Sequence, residues 1–174
     1  KGIIKRTDLE QYKNLRKNGI IAINLDEDDE LAWTRLTDGN DDILVATRCG
    51  MSIRFNENDC RPIGRTARGV RAINMREGDC VIDMAITEPD TKILTVTETG
   101  YGRISNISDY RLQSRGGKGL TNYRTEKYGD KVRTFCMNPK GAVVNENTNG
   151  IITVNGHSYE DPERQTENTN FALL

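Results

Sequence analysis

The chain has 174 residues, of which 35% are hydrophobic and 29% are charged, and its formal net charge is −1. This length is sufficient for a hydrophobic core, and the modest apolar fraction favours a soluble protein with thin cores. No run approaches the roughly 18 apolar residues of a membrane-spanning helix, and no signal peptide is visible. We therefore expect no membrane partner.

The dominant feature of the sequence is a repeat of about 50 residues, marked by glycines at nearly even spacing: Gly2, Gly50, Gly100 and Gly150. Periods of this length are typical of propeller blades and solenoids. We interpret 1–154 as one array, with repeats near 1–48, 49–98 and 99–148 and a fragment at 149–154. The stretch 155–174 is polar and lacks the period, so we interpret it as a tail or a degenerate end cap.

Strand signals recur within each repeat. β-branched runs at 43–47 and 51–55 are joined by a short glycine-containing turn, and runs at 92–97 and 102–107 repeat the arrangement, which is typical of hairpins. The segment 7–15 could form a helical turn, but its counterpart 56–63 contains Pro62. We therefore expect both segments to be connections and not helices.

Two further candidates, 69–75 and 80–87, flank a turn at 76–79, which gives four strands per repeat. Four-stranded repeats without a long helical period predict an all-β, propeller-like array of antiparallel blades, about three of them, with incomplete ends. Lys1 and Gly2 correspond to a hairpin turn whose first strand is absent, so we expect a fragment of a longer polypeptide. Open strand edges favour pairing with another chain, so we also expect homo-association.

Charge alternates along the chain in step with the repeat, although the total is close to zero. Residues 1–19, 48–76 and 99–127 carry net charges of +4, +5 and +4, whereas 26–47, 77–98 and 128–174 carry −7, −5 and −2. Blades stacked side by side would place the basic segments on one rim, which is the pattern expected for a polyanion-binding surface. The alternative is a set of solvated loops whose charges balance locally.

The densest basic motif is the heptad Gln113-Ser114-Arg115-Gly116-Gly117-Lys118-Gly119. Glycines allow positive φ and a close approach of the backbone to a surface, and Arg115 and Lys118 add charge-assisted donors. Successive backbone N–H groups in such a turn can also bind an anion. These features suit a phosphate backbone and offer little for reading bases. Weaker equivalents lie at 65–69 and 16–19.

We therefore predict that DNA-binding residues lie in these three elements, with supporting contacts from nearby arginines. The predicted set is Gln113, Arg115, Gly116, Gly117, Lys118, Gly119, Arg65, Arg68, Gly69, Arg16 and Lys17, supported by Arg54, Arg71 and Arg103. For Arg54 and Arg103 the alternative interpretation is a solvated strand residue.

No metal centre or catalytic set is predicted from the sequence. Cys49, Cys60, Cys80 and Cys136 form no C-x-x-C pair, and with the single His157 they make no zinc set, so we expect reduced thiols. Paired carboxylates in a recognisable setting and a nucleotide-binding loop are also missing from the sequence.

The heptad resembles the gyrase box of the C-terminal domain of DNA gyrase A, whose usual pattern is Gln, a basic residue, Arg, Gly, Gly, a basic residue, Gly. Ser114 stands at the first basic position, so this copy is similar to a secondary box in a later blade. Other matching segments are Asp26-Glu27-Asp28-Asp29-Glu30-Leu31, Ile53-Arg54-Phe55, Gly64-Arg65-Thr66-Ala67-Arg68-Gly69-Val70 and Gly100-Tyr101-Gly102. The resemblance covers Lys1 to about Asp130.

The resemblance implies a β-pinwheel whose neighbouring blades exchange a strand and whose basic outer rim wraps duplex DNA. It also implies a parent type II topoisomerase that uses ATP and magnesium to introduce negative supercoils. The remainder of gyrase A and the gyrase B protein would be its partners, in a bacterial cytoplasm and associated with the nucleoid. Neither the ATPase nor the DNA-cleaving tyrosine belongs to this domain, so we expect no catalytic residue and no cofactor in this chain. The alternatives are the equivalent domain of topoisomerase IV and a propeller-like protein-interaction module.

Overall fold

The computed structural model describes residues 1–14, 16–137, 144–146, 151–154 and 157–160. These ranges contain short strands, three 3₁₀ turns (Leu9–Tyr12, Glu57–Asp59 and Ile107–Asp109) and one short helix, α1 (Thr125–Tyr128). The strands are β1 (Ile3–Ile4), β2 (Asp42–Thr47), β3 (Met51–Asn56), β4 (Val70–Arg71), β5 (Val81–Thr87), β6 (Lys92–Thr97), β7 (Gly102–Asn106), β8 (Leu120–Thr121), β9 (Val132–Met137), β10 (Val144–Glu146), β11 (Ile151–Val154) and β12 (His157–Glu160).

Both hairpins predicted from the β-branched runs are confirmed. β2 pairs antiparallel with β3, and β6 pairs antiparallel with β7. The described strands form a four-stranded sheet in the order β5-β2-β3-β8, three-stranded sheets β7-β6-β9 and β10-β11-β12, and the pair β1-β4. β12 lies in the stretch that we interpreted as a tail or end cap, and the rest of that stretch lies outside the described residues. The predicted array of antiparallel, blade-like sheets is confirmed.

Neighbouring repeats exchange a strand. β8 comes from the third repeat and pairs with β3 of the second repeat, which completes the four-stranded sheet. β4 comes from the second repeat and pairs with β1 of the first. β5 likewise pairs with β2, the strand that ends just before the second repeat begins. Each sheet is therefore built from consecutive repeats, and the blades depend on each other for their hydrogen bonds.

The first repeat lacks two of the four strands that we predicted for every repeat. Residues 20–37 carry no strand, whereas their counterparts at 70–87 include β4 and β5. β4 and β5 pair with β1 and β2, and no described segment offers an equivalent hairpin to residues 20–37. Apolar side chains in this segment consequently remain exposed: Ile21, Leu25, Leu31 and Leu36.

The predicted strand at 69–75 is also shorter than expected, since only Val70 and Arg71 form a ladder. The partner strand β1 is two residues long, so the ladder ends there. Ala72 and Ile73 then enter the core, and the Asn74 N–H donates to the Gly117 carbonyl at 2.8 Å. The chain after β4 therefore supports the basic heptad of the next repeat.

β2 is the central strand of the described core because both of its faces are buried. Ile43 and Val45 point into one cluster, which includes Ile53, Phe55 and Ile73. Leu44 and Ala46 alternate with them and point into a second cluster, which includes Ile93, Ile107 and Tyr110. A strand covered on both faces is apolar along its length, which explains the run Ile43 to Ala46.

Glycines at equivalent positions make the strand exchange possible. Gly119 has φ +76°, and a Cβ there would lie 2.3 Å from the Ser52 carbonyl oxygen. Gly69 has φ +115°, and a Cβ there would lie 2.7 Å from the Ile4 carbonyl oxygen. Each glycine precedes an exchanged strand, where the backbone must turn in the left-handed region and pass close to the neighbouring blade.

We expect Gly119→Ala to lower the free energy of unfolding by about 1–3 kcal/mol, because the left-handed backbone and the close carbonyl both oppose a side chain. Gly117→Ala is the matched control: its Cβ would meet the nearest atom at 3.8 Å, and no positive φ is needed there. The control should change stability by less than about 0.5 kcal/mol. Urea denaturation measures both values, and equal stabilities for the two variants would contradict this role of Gly119.

Glu57 holds the first repeat against the second through a saturated hydrogen-bond network. Its Oε1 accepts the N–H groups of Gly39 at 2.8 Å and Asp41 at 2.9 Å. Its Oε2 accepts the Thr37 hydroxyl at 2.7 Å and lies 3.0 Å from Arg6 Nε. Burial on its own would raise the pKa of Glu57, but these donors outweigh it and hold the pKa below its usual value.

We expect Glu57→Gln to lower the free energy of unfolding by about 1–3 kcal/mol at pH 7. A lowered folded-state pKa means that the carboxylate stabilises the fold above its unfolded pKa of about 4.3, and that this stabilisation is lost as the pH falls through the folded value. The gap between parent and variant should therefore narrow below about pH 4. Chemical denaturation over a pH series tests this, with the exposed Glu77→Gln as control; a gap that stays constant with pH would refute it.

Candidate nucleic-acid interface

Three glycine-closed basic segments of the chain, which we call box turns, form the candidate interface: the first at 16–19, the second at 65–69 and the third at 113–119. The third begins where the Gln113 N–H donates to the Arg54 carbonyl at 2.8 Å, and it ends at Gly119 as β8 starts. The second is tightened by the Ala67 N–H donating to the Gly64 carbonyl at 2.9 Å. In the first, the Gly19 N–H donates to the Arg16 carbonyl at 2.9 Å.

The third box turn contacts the chain that directly follows the second box turn. The Gly116 N–H donates to the Ala72 carbonyl at 2.6 Å, and the Asn74 N–H donates to the Gly117 carbonyl at 2.8 Å. The third box turn therefore lies on the chain that leaves the second. Such contacts fix the distance from one basic turn to the next.

The second box turn lies in the same way on the chain that leaves the first. Arg65 Nη1 donates to the Ile21 carbonyl, and Lys5 Nζ donates both to the Arg65 carbonyl and, at 2.8 Å, to the Ala22 carbonyl. Ile21 and Ala22 directly follow the first box turn. The structure therefore places the three box turns in one consecutive row.

Some predicted cations in this row are exposed and unpaired. The side chains of Lys118, Arg71, Arg16 and Lys17 are exposed, and none makes a hydrogen bond or ion pair within the described part of the chain. Unpaired side chains of this kind are available to phosphate oxygens without first breaking an internal contact.

Arg68 is exposed but already has an acidic neighbour. Its Nη1 lies 2.8 Å from Asp26 Oδ1, and its side chain remains 73% exposed. Asp26 and Asp28 also form ion pairs with Lys1. The acidic segment that starts at Asp26 therefore contacts a box turn, so acidic and basic segments are not fully separated here.

Other predicted cations are used inside the fold. Arg115 donates from Nε to the Asp59 carbonyl at 2.8 Å and from Nη1 to the Arg71 carbonyl at 3.1 Å. Arg54 pairs with Asp42 at 2.8 Å. Arg103 Nη1 is 3.5 Å from the Asn122 carbonyl. These three side chains hold blades and turns together.

The uncharged members of the predicted set shape the third box turn. Gly116 has φ +80° and Gly117 is exposed at the surface. Gln113 is half-buried, and within the described residues its amide nitrogen has no acceptor. Gly69 and Gly119 direct the exchanged strands, as described above.

Two further exposed arginines belong with this row and were not predicted from the sequence. Arg61 and Arg111 each lie four residues before the arginine of a box turn, Arg65 or Arg115. Both are exposed, and neither side chain has a partner within the described ranges. Their spacing of one repeat was the signal that could have identified them.

One acidic cluster among the described residues has the spacing of a metal site: Asp38, Asp41 and Glu57. Both carboxylate oxygens of Glu57 are already occupied by the donors described above, which gives the cluster a structural role. Cys49, Cys60 and Cys80 are free thiols. Among the described residues, no helix has the length and apolar character needed to cross a membrane.

Comparisons with known proteins identify the family of this chain. The family model described as "DNA gyrase C-terminal domain, beta-propeller" matches residues 1–38, 41–88 and 91–135. The chain is 43% identical to the DNA gyrase A protein of Staphylococcus epidermidis, over 99% of this chain and 20% of that protein. It is 44% identical to the DNA gyrase A protein of Haloquadratum walsbyi, over 88% of this chain and 19% of that protein. The chain thus spans about a fifth of the length of these relatives.

Solved structures show the same fold. The C-terminal domain of DNA topoisomerase IV superposes with a TM-score of 0.78 at 24% identity, covering 97% of this chain and 54% of that one. The DNA gyrase A C-terminal domain superposes with a TM-score of 0.52 at 21% identity, covering 96% and 51%. Because the family model matches most of the sequence and the relatives share more than two fifths of its residues, the chain belongs to the DNA gyrase C-terminal domain family.

Proposed function

We propose that this chain binds duplex DNA through its phosphates and bends or wraps it, without reading base sequence. The observation that carries the proposal is the row of three box turns, with Lys118, Arg71, Arg16 and Lys17 exposed and unpaired among the described residues. Family membership supports the same function. Arg68, Arg61 and Arg111 extend the set of candidate contacts.

The chemistry of the row suits phosphate more than base edges. Lysine and arginine donate to phosphate oxygens, and the glycines keep the turns close to a neighbouring surface. Bending a duplex by 40–90° costs on the order of 1–6 kcal/mol, which release of condensed counterions can offset. Several contacts in a row are needed for that, because a single exposed ion pair contributes little.

The role of the parent protein follows from its relatives. In this proposal the chain is the C-terminal domain of a DNA gyrase A protein, and it works with the rest of gyrase A and with gyrase B. The parent is a type II topoisomerase that uses ATP and magnesium to introduce negative supercoils, in the bacterial cytoplasm at the nucleoid. This domain contributes DNA wrapping to that reaction and no catalytic group.

The equivalent role in topoisomerase IV is less well supported. The likeness to the topoisomerase IV domain is at 24% identity and concerns the fold, whereas the named sequence relatives at 43–44% identity are gyrase A proteins. A protein-interaction module would use the same fold but would not depend on the unpaired cations.

A salt series tests phosphate binding. Each phosphate contact contributes about −0.9 to the slope of log K against log salt, so Lys118→Ala should flatten the slope by about that amount. Lys92→Ala, at an exposed position on β6 without a partner among the described residues, is the matched control and should leave the slope unchanged.

Relaxing a plasmid with a nicking-closing enzyme in the presence of the chain should shift the linking number of the plasmid. Salt-independent retention with no topological shift would favour the protein-interaction module.

A second proposal concerns association of the chain with itself. Residues 20–37 correspond to β4 and β5, which pair with β1 and β2 of the neighbouring repeat. A β-hairpin from a second copy would continue that blade-to-blade interface and cover Leu31 and Leu36, which are 51% and 73% exposed.

We expect sedimentation to show concentration-dependent association, which Leu36→Lys weakens by placing a charge on the open edge. Leu112→Lys is the control, because Leu112 is also exposed but lies outside this segment. A monomer at all concentrations, or equal weakening by both variants, would refute association through residues 20–37.

A further inference from the structure

The arginine of each of the last two box turns makes the same contact with the preceding repeat. Arg65 and Arg115 each stand four residues before the glycine that closes their turn. Each donates from Nη1 to the backbone carbonyl two residues after the closing glycine of the previous turn: Arg65 to Ile21, and Arg115 to Arg71 at 3.1 Å. The same contact recurs at a spacing of one repeat, so it is a feature of the repeat and not of a single turn.

Arg115 makes a second contact that only an arginine can combine with the first. Its Nε donates to the Asp59 carbonyl at 2.8 Å while Nη1 reaches the Arg71 carbonyl. Asp59 ends the 3₁₀ turn after β3, and Arg71 ends β4. The planar guanidinium therefore joins two backbone segments of the preceding repeat, which the single ammonium of lysine cannot span in the same way.

Backbone hydrogen bonds lie directly beside this contact. The Gly116 N–H, next in sequence to Arg115, donates to the Ala72 carbonyl at 2.6 Å. The second turn has a parallel arrangement, because the Arg65 N–H donates to Gln11 Oε1 at 2.8 Å and its carbonyl accepts from Lys5. Each turn is therefore held by an arginine side chain and by a backbone group, which belongs to Arg65 in the second turn and to Gly116 in the third.

We propose that Arg65 and Arg115 are positioning residues that set the spacing between successive box turns, and that phosphates are bound instead by their unpaired neighbours such as Lys118. The inference rests on the proposed DNA-binding function and divides the box turn into two roles. In the third turn, Arg115 holds the turn to the preceding repeat, and Lys118 is left to bind the ligand. The resulting fixed spacing determines whether consecutive turns can hold one bent duplex.

The test uses Arg115→Lys, which keeps the charge but loses the two-pronged contact, with Lys118→Arg as the charge-conserving control. Folding of both variants is checked by circular dichroism. In Arg115→Lys the salt slope of duplex binding should equal that of the parent, while the linking-number shift at saturating protein falls by at least half. Lys118→Arg should have the same salt slope and the same linking-number shift as the parent. A direct phosphate contact predicts the reverse for Arg115→Lys: lysine would replace arginine and the linking-number shift would be retained, which would overturn the proposal.

A DNA-free measurement separates this inference from the proposed function. Hydrogen exchange at the Gly116 amide should accelerate at least about tenfold in Arg115→Lys and stay unchanged in Lys118→Ala, since only the first loses the neighbouring contact. Equal exchange in the two variants would overturn the positioning role even if the chain binds DNA. Absence of DNA binding by the parent chain would instead refute the proposed function. If Arg115→Lys does not fold, Arg65→Met, which removes the contact to the Ile21 carbonyl, replaces it. The positioning role predicts an unchanged salt slope with a smaller linking-number shift, and a slope flattened by about 0.9 would overturn it.

Discussion

The four-stranded blade β5-β2-β3-β8 is completed by a strand that the next repeat supplies, and the other features depend on that exchange. The exchanged strands β4 and β8 are only two residues long, so they contribute few hydrogen bonds of their own. Gly69 and Gly119 allow the backbone to enter these strands in the left-handed region. Both lie so close to a carbonyl of the neighbouring blade that there is no room for a Cβ. The exchange therefore links the spacing of the blades to the positions of the box turns that immediately precede them.

This link explains why charge alone does not distinguish the cations that the fold uses from those that have no partner within the described chain. Arg115 and Lys118 lie three residues apart in the same turn, yet one is held by two backbone carbonyls and the other has no partner within the described chain. A basic turn that must also maintain its distance from the next turn needs both kinds of side chain. The arginine fork suits the structural contact, and the flexible lysine suits a phosphate whose position varies with the bend of the duplex.

Local patterns predicted the parts of the fold that are local. The apolar, β-branched runs and the glycine turns between them predicted both hairpins, β2-β3 and β6-β7, since a hairpin joins neighbours in sequence. The network around Glu57 and the contact from Arg115 to Arg71 could not be predicted, because they join residues more than forty positions apart or depend on side-chain geometry. Residues 20–37 have the repeat position and apolar residues expected of two strands. They form no strand, because no described hairpin pairs with them. The positions of the glycines and of the charged residues predicted the box turns. They did not predict that Arg115 is held by the fold while Lys118 has no partner among the described residues.

A structure of the chain bound to a duplex of about three helical turns would test the proposed interface most directly. We expect phosphates within hydrogen-bonding distance of Lys118 and of Arg68 or Arg71, on successive box turns, with the Arg115 guanidinium still on the Asp59 and Arg71 carbonyls. A duplex that lies on another face, with the box turns left in solvent, would contradict the proposed interface.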